Sequence, residues 1–251
     1  MRRLVNGMIA VCYALAVHVL ARASVGDVPQ NASLETPAPV QRFLANTGPA
    51  LTSYRAFRTL EAEARGGHTR ASLTAWTTLD PVKGFEYSVV EEGGSGIVRQ
   101  KVLHAALEAE RSIRVNGDLD KGALTLTNYA FKAGNATDDG LIRIGIHPKR
   151  SDTMLIEGSI LLNARDGDLV QVEGALIKRP SFWTREVQVD RRYERICGVR
   201  VPVSMHSTAR VLIAGRSTFS MIYEYTSING ISVVSGRPAP SESGRRPTAL
   251  R

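Results

Sequence analysis

From Tyr54 onward the hydrophobic positions of this chain fall mostly on alternate residues. Tyr54, Ala56, Leu60 and Ala62 share one parity with Arg58, and Arg55, Thr59, Glu61 and Glu63 share the other with Phe57. A period of two over that length predicts a long strand with one face buried. Ala71, Leu73 and Ala75 continue the pattern, as do Phe85, Tyr87 and Val89.

The alternation returns from Leu124 to Ile228. Ile142, Ile144 and Ile146 carry it first, then Met154, Ile156, Ile160 and Leu162, then Val170, Val172 and Leu176. Val187, Val189 and Tyr193 follow, then Val199, Val201 and Val203, then Phe219, Met221, Tyr223 and Tyr225. The pairs Asp139-Gly140, Asp166-Gly167, Cys197-Gly198 and Asn229-Gly230 read as turns between them. Connections that short force antiparallel neighbours, giving roughly ten strands in a meander.

The period changes in two places. Val40, Phe43, Leu44 and Thr47 recur at helical spacing, with Pro39 near the first turn and Gly48 as a stop. After Gly93-Gly94-Ser95-Gly96, the residues Val98, Val102, Ala106, Ala109 and Ile113 form one stripe, widened by Leu103 and Leu107. Ser95 is the natural N-cap, and Glu108, Glu110 and Arg111 are assigned to the solvent side. The stripe must bury itself against the sheet, because nothing else is there to cover it.

A sheet of that size curls or closes as its twist accumulates. Gly158 and Gly174 interrupt good strands on the buried parity, almost symmetrically about Asp166-Gly167. Glycine inside a strand marks a bend, or the close approach of a ligand or helix. The expected class is therefore mainly β (α+β): a large curled antiparallel meander covered by one or two helices.

The ends add a destination. Met1-Arg2-Arg3, an apolar run from Met8 to Val17 and Ala21-Arg22-Ala23 have the order of a signal peptide with cleavage before Ser24. A spanning helix needs about 20 apolar residues, so a retained anchor is the alternative reading. The expected organisation is a leader over 1–23, a linker over 24–38, one domain over 39–234 and a disordered basic tail over 235–251. Export follows from the leader. Removing it leaves Cys197 without an intramolecular partner, so the domain must be held by a core rather than by disulfides.

The net charge of +8 narrows little once it is located. Arg2, Arg3 and Arg22 lie in the leader, and Arg237, Arg245, Arg246 and Arg251 face only Glu242 in the tail. A nucleic-acid binder concentrates basic charge on its folded surface, and this body does not.

Candidate chemistry is sparse. The glycines at 93, 94 and 96 sit where a phosphate loop would, but Ile97-Val98 stand where Lys and Ser or Thr are needed. His68, His104, His147 and His206 form no metal-ligand spacing, and no cysteine pair exists beside them. Around His206 no Gly-x-Ser-x-Gly elbow occurs. No enzyme, metal or cofactor is expected. The cation-rich stretch from Lys178 to Arg200 reads as cross-strand ion pairs or as a basic rim formed by Arg191 and Arg195. Phe182 and Trp183 beside it read as a core plug.

The order of elements resembles the LolA/LolB-like superfamily of outer-membrane lipoprotein carriers, whose relatives include RseB-type sensors. The resemblance runs through Val40-Gln41-Arg42-Phe43-Leu44, Tyr54-Arg55-Ala56, Asn128-Tyr129-Ala130-Phe131, Gly167-Asp168-Leu169-Val170 and Pro180-Ser181-Phe182-Trp183. It implies an incomplete barrel with helices over its open side and an apolar cavity for acyl chains, lipoproteins or other hydrophobic molecules. Residues of buried parity would then line the ligand: Tyr54, Leu60, Ile144, Ile156, Leu176, Val189, Tyr193 and Met221. The expected partners are a hydrophobic ligand or lipoprotein and an envelope membrane protein, with no nucleic acid, and the expected state is a monomer. The alternative is a protein-interaction or envelope-sensor module without a ligand cavity.

Overall fold

The computed structural model describes residues 36–46, 48–179, 184–212 and 215–234. The predicted leader, most of the linker, Phe182-Trp183 and the basic tail lie outside the described residues. Alternating residues pair as the pattern requires, in β1 (Tyr54–Ala64), β2 (Thr69–Asp80) and β3 (Gly84–Gly94). Seven long or medium strands follow the second helical segment: β4 (Tyr129–Lys132), β5 (Leu141–Pro148), β6 (Ile156–Asn163), β7 (Leu169–Leu176), β8 (Thr184–Ile196), β9 (Val199–Val211) and β10 (Gly215–Ile228). A short β11 (Ile231–Ser232) pairs with the end of β10.

All the described strands belong to one antiparallel sheet of 11 strands, in the order β3-β2-β1-β10-β9-β8-β7-β6-β5-β4. This corrects the simple meander in one respect. β1 pairs with β10, Leu60 opposite Met221, so the N-terminal strands are zipped onto the C-terminal one. The free ends of the path are β3 and β4, which are consecutive in sequence but unpaired. The result is a barrel opened between them.

Helices pack against this sheet. α1 (Ala38–Ala45) buries Val40 and Phe43 completely. It sits on the turn after β6, where Gly167 has φ +73 and a Cβ would come 2.7 Å from Phe43 N. α2 runs from Gly96–Val98 through a π-helical stretch, Arg99–His104, into Ala105–Asn116. Ser95 caps it as expected, its hydroxyl accepting from Val98 N at 3.5 Å. Gly117, with φ +70, ends it in a left-handed C-cap.

α2 lies in the chain segment that links edge strand β3 to edge strand β4. Its Leu103 and Leu107 are fully buried and share one core cluster with Leu60, Ile144 and Val189 of the sheet. Glu110 was assigned to the solvent side of this helix, and the structure reverses that. It is 2% exposed, between Ala106, Leu107 and Ile113.

Candidate functional site

The ligand-lining candidates come from β1, β5, β6, β7, β8 and β10. Tyr54, Leu60, Ile144, Ile156, Leu176, Val189, Tyr193 and Met221 all belong to the larger of two clusters, which also holds Leu103 and Leu107 of α2. Their common face follows from strand parity and from the register that sets Leu60 beside Met221 and Ile156 beside Leu176. The voids described among the residues of this face are small. One residual void of about 10 Å³ touches Tyr129, Ile156, Val172 and Tyr193. Another of about 20 Å³ lies by Ala62, Val102, Ala209 and Phe219. Voids of that size hold a water molecule at most.

At the centre of this wall is a polar group that the sequence reading did not single out. Arg58 is fully buried, and its Nη1 donates to Glu110 Oε2 at 2.6 Å. Its Nη2 donates to Tyr54 Oη at 2.6 Å and to Glu110 Oε1 at 3.3 Å. The guanidinium lies 4.5 Å from the Tyr223 ring and 5.3 Å from that of Phe85. Arg114, one helical turn on, also donates to Glu110, at 3.2 Å. Burial pushes the Tyr54 phenol far above its ordinary range, against the pull of Arg58. Burial raises Tyr223 and Tyr225 in the same way.

Arg191 was expected on a basic rim and is instead 4% exposed inside the barrel. Its parity matches Val189 and Tyr193, so the strand turns it inward. Its Nη1 lies 3.5 Å from Tyr193 Oη, and its Nη2 lies 3.5 Å from Met205 Sδ. Beside it, the Tyr129 hydroxyl accepts from Ile156 N at 3.1 Å, and burial pushes that phenol up to about 12.

Arg195 does lie at the rim, but it is committed to Asp168, with Nε–Oδ2 at 2.9 Å and Nη2–Oδ1 at 2.8 Å. Arg200 reaches the same carboxylate from the β9 side at 2.7 Å, and stacks over Phe43 of α1 at 5.1 Å. Burial opposes ionisation of Asp168, yet the two arginines outweigh it and hold its carboxyl below the usual range. The cluster fastens α1 to the ends of β7, β8 and β9.

The outer side of the sheet carries different chemistry. Ser159, Glu173, Gln188, Asp190, His206 and Thr208 line an open polar groove of about 390 Å³. Arg143 bridges Ser159 and Glu173 there. His206 is exposed on this side while the adjacent Ser207 is buried on the other, so the strand separates them. Among the described residues no three His, Cys, Asp or Glu side chains gather into a metal-sized group. Nor is any described helix long and apolar enough to cross a membrane.

No protein-family model matches the chain, and no curated protein matches it. Solved structures resemble it in outline. A DUF1329 family protein from Desulfovibrio piger aligns with TM-score 0.36 and 10% identity over 74% of this chain and 88% of that one. A domain described as an outer membrane lipoprotein-sorting protein, from Vibrio parahaemolyticus, aligns with TM-score 0.35 and 8% identity over 76% and 90%. A LolA superfamily protein from Nitrosomonas europaea aligns with TM-score 0.35 and 10% identity over 74% and 90%.

Proposed function

We propose that this chain is an exported periplasmic protein that holds a hydrophobic ligand (a lipid, an acyl chain or a lipoprotein) in its half-barrel, with α2 as the lid. One observation carries the reading. The barrel is open between β3 and β4, and the chain that joins those two edges places α2 against the concave apolar wall. A helix in that position can be displaced without breaking a single strand pair. Its removal would uncover Leu60, Ile144, Val189, Tyr193 and Met221, a surface suited to acyl chains. Each CH₂ moved there from water contributes about 0.8 kcal/mol.

With Leu103 and Leu107 of α2 packed on the wall, the lid is down. The π-helical stretch Arg99–His104 is a local departure from regular hydrogen bonding at the base of the lid. In this reading the protein works as a monomer, delivers its ligand to an envelope membrane protein, binds no nucleic acid and catalyses nothing. The test is direct. Lipids copurifying with periplasmic protein are identified by mass spectrometry, and a fluorescent fatty acid is titrated into the delipidated chain. Saturable binding supports the carrier. No binding of any apolar probe removes it.

A second reading has its own support. The residual voids of about 10 and 20 Å³ are what a solid interaction module would show. On the outer face Phe57 and Trp76 meet edge-on at 5.2 Å, with Arg55 over the indole at 4.5 Å. Aromatic and arginine groups of that kind anchor protein interfaces. A Trp76→Ser variant separates the two readings. It should leave lipid binding intact if the interior is the site, and abolish partner binding if the outer face is.

A further inference from the structure

The wall beneath α2 restricts the head group of the ligand it would hold. Arg58 projects from β1 into the buried interior, and its neighbours Tyr54, Phe85, Tyr223 and Met221 all belong to the sheet. Its carboxylate partner does not. Glu110, which bonds it at 2.6 Å, is carried by α2. When the lid leaves, that carboxylate leaves with it, and Arg58 remains fixed on the wall.

A guanidinium cannot discard its charge at any physiological pH. In an open, wet barrel, water can solvate it. Under a ligand that excludes water, an uncompensated Arg58 is strongly disfavoured, so the ligand itself must supply an anion. Arg191 adds to the same field from β8, since both arginines act on the Tyr223 phenol. The Arg58 Nε has no hydrogen-bond partner among the described residues, although it is buried. One N–H of the guanidinium is thus left unused by Glu110, Tyr54 and Met221. An oxyanion with several oxygens could engage it.

Resting on the carrier reading, we propose that the ligand is an anionic amphiphile whose carboxylate or phosphate head takes the place of Glu110 against Arg58 and Tyr54. Its chain then lies along Leu60, Ile144, Val189 and Met221. Neutral and cationic amphiphiles of the same length are selected against, because they leave Arg58 buried and unpaired. Glu110 is the closed state's own stand-in for the head group.

The full chain is tested by displacement of a fluorescent fatty acid with compounds that share one chain: oleate, oleoyl lysophosphatidate, oleyl alcohol and oleylamine. Oleate, lysophosphatidate or both should bind about tenfold or more tightly than the alcohol, the scale of one strong charge-assisted contact. The arm that wins identifies the head as carboxylate or phosphate. The amine should bind weakest. Glu110→Gln should widen the anion-to-alcohol ratio several-fold, since it removes the competing carboxylate. The double variant Arg58→Gln/Glu110→Gln, which removes the Arg58 charge and keeps Arg114 and Arg191, should lower that ratio several-fold from its value in Glu110→Gln. Equal binding of all heads by the wild-type chain, or an anion-to-alcohol ratio in the double variant no lower than in Glu110→Gln, overturns this inference and leaves the carrier reading standing. If no amphiphile binds the wild-type chain or Glu110→Gln, both fall together.

Discussion

Gly158 and Gly174 face each other across β6 and β7, so close that a Cβ on Gly158 would lie 2.1 Å from Glu173 O and one on Gly174 would lie 2.3 Å from Glu157 O. Gly174 also takes φ +152, a backbone conformation that side chains resist. The two glycines, read as a bend or as the close approach of a ligand or helix, allow the backbones of the two strands to approach each other. Gly174→Ala should therefore cost about 1–3 kcal/mol and lower Tm by several degrees. A thermal melt with unchanged Tm would show that the close approach needs no glycine there.

The ion pair beneath the lid makes a sharper prediction. Glu110→Ala leaves Arg58 buried without its carboxylate and should destabilise by about 3–5 kcal/mol. Replacing both, as Arg58→Met/Glu110→Leu, should recover part of that loss, because Arg58 no longer lies buried without a carboxylate while Arg114 still loses its bond to Glu110. Denaturant titration of the two variants measures the difference. Equal losses in both would mean that packing, not charge, is what the site requires.

At the rim the sign of a pH effect can be worked out. The carboxyl of Asp168 is lower in the folded protein than its ordinary 3.8, because the bonds from Arg195 and Arg200 outweigh burial. A depressed folded value gives stability that is present above the unfolded value and lost as pH falls through the folded one. Wild type should therefore exceed Asp168→Asn in stability at neutral pH, and the gap should close below about pH 4. A gap independent of pH between 7 and 3 would refute this.

Much of the fold was legible because parity is a strong signal. The Tyr54–Ala62 alternation, the Asp-Gly and Asn-Gly turns and the Ser95 cap all reappear as local structure. What stayed hidden was the pairing of β1 with β10, because local turn chemistry does not report a contact between strands this far apart in sequence. The buried charges were hidden for another reason. Arg58 stands on the inner parity of β1, and Glu110 lies among Ala106, Leu107 and Ile113. Each alone reads as a residue that turns to solvent. Only together, on two elements that must face each other, do they read as a buried pair. Arg191 is the same case, since its parity with Val189 and Tyr193 outweighed its charge.

The last prediction asks whether the inner wall is a binding surface or only a core. Leu176 and Ile144 both face inward, but they differ in access. Leu176 ends β7 at 9% exposure, whereas Ile144 lies mid-strand at 1%. A glutamate at 176 can turn its carboxylate toward the rim, while one at 144 cannot reach water. Leu176→Glu should therefore keep the circular dichroism spectrum of the wild type and lose about tenfold or more in fatty-acid affinity, because a charge now borders the path of the chain. Ile144→Glu should unfold the protein, since an unpaired buried carboxylate costs more than the domain can spare. Should Leu176→Glu fold and bind as tightly as wild type, the acyl chain does not pass β7, and the site must lie nearer β1 and β10.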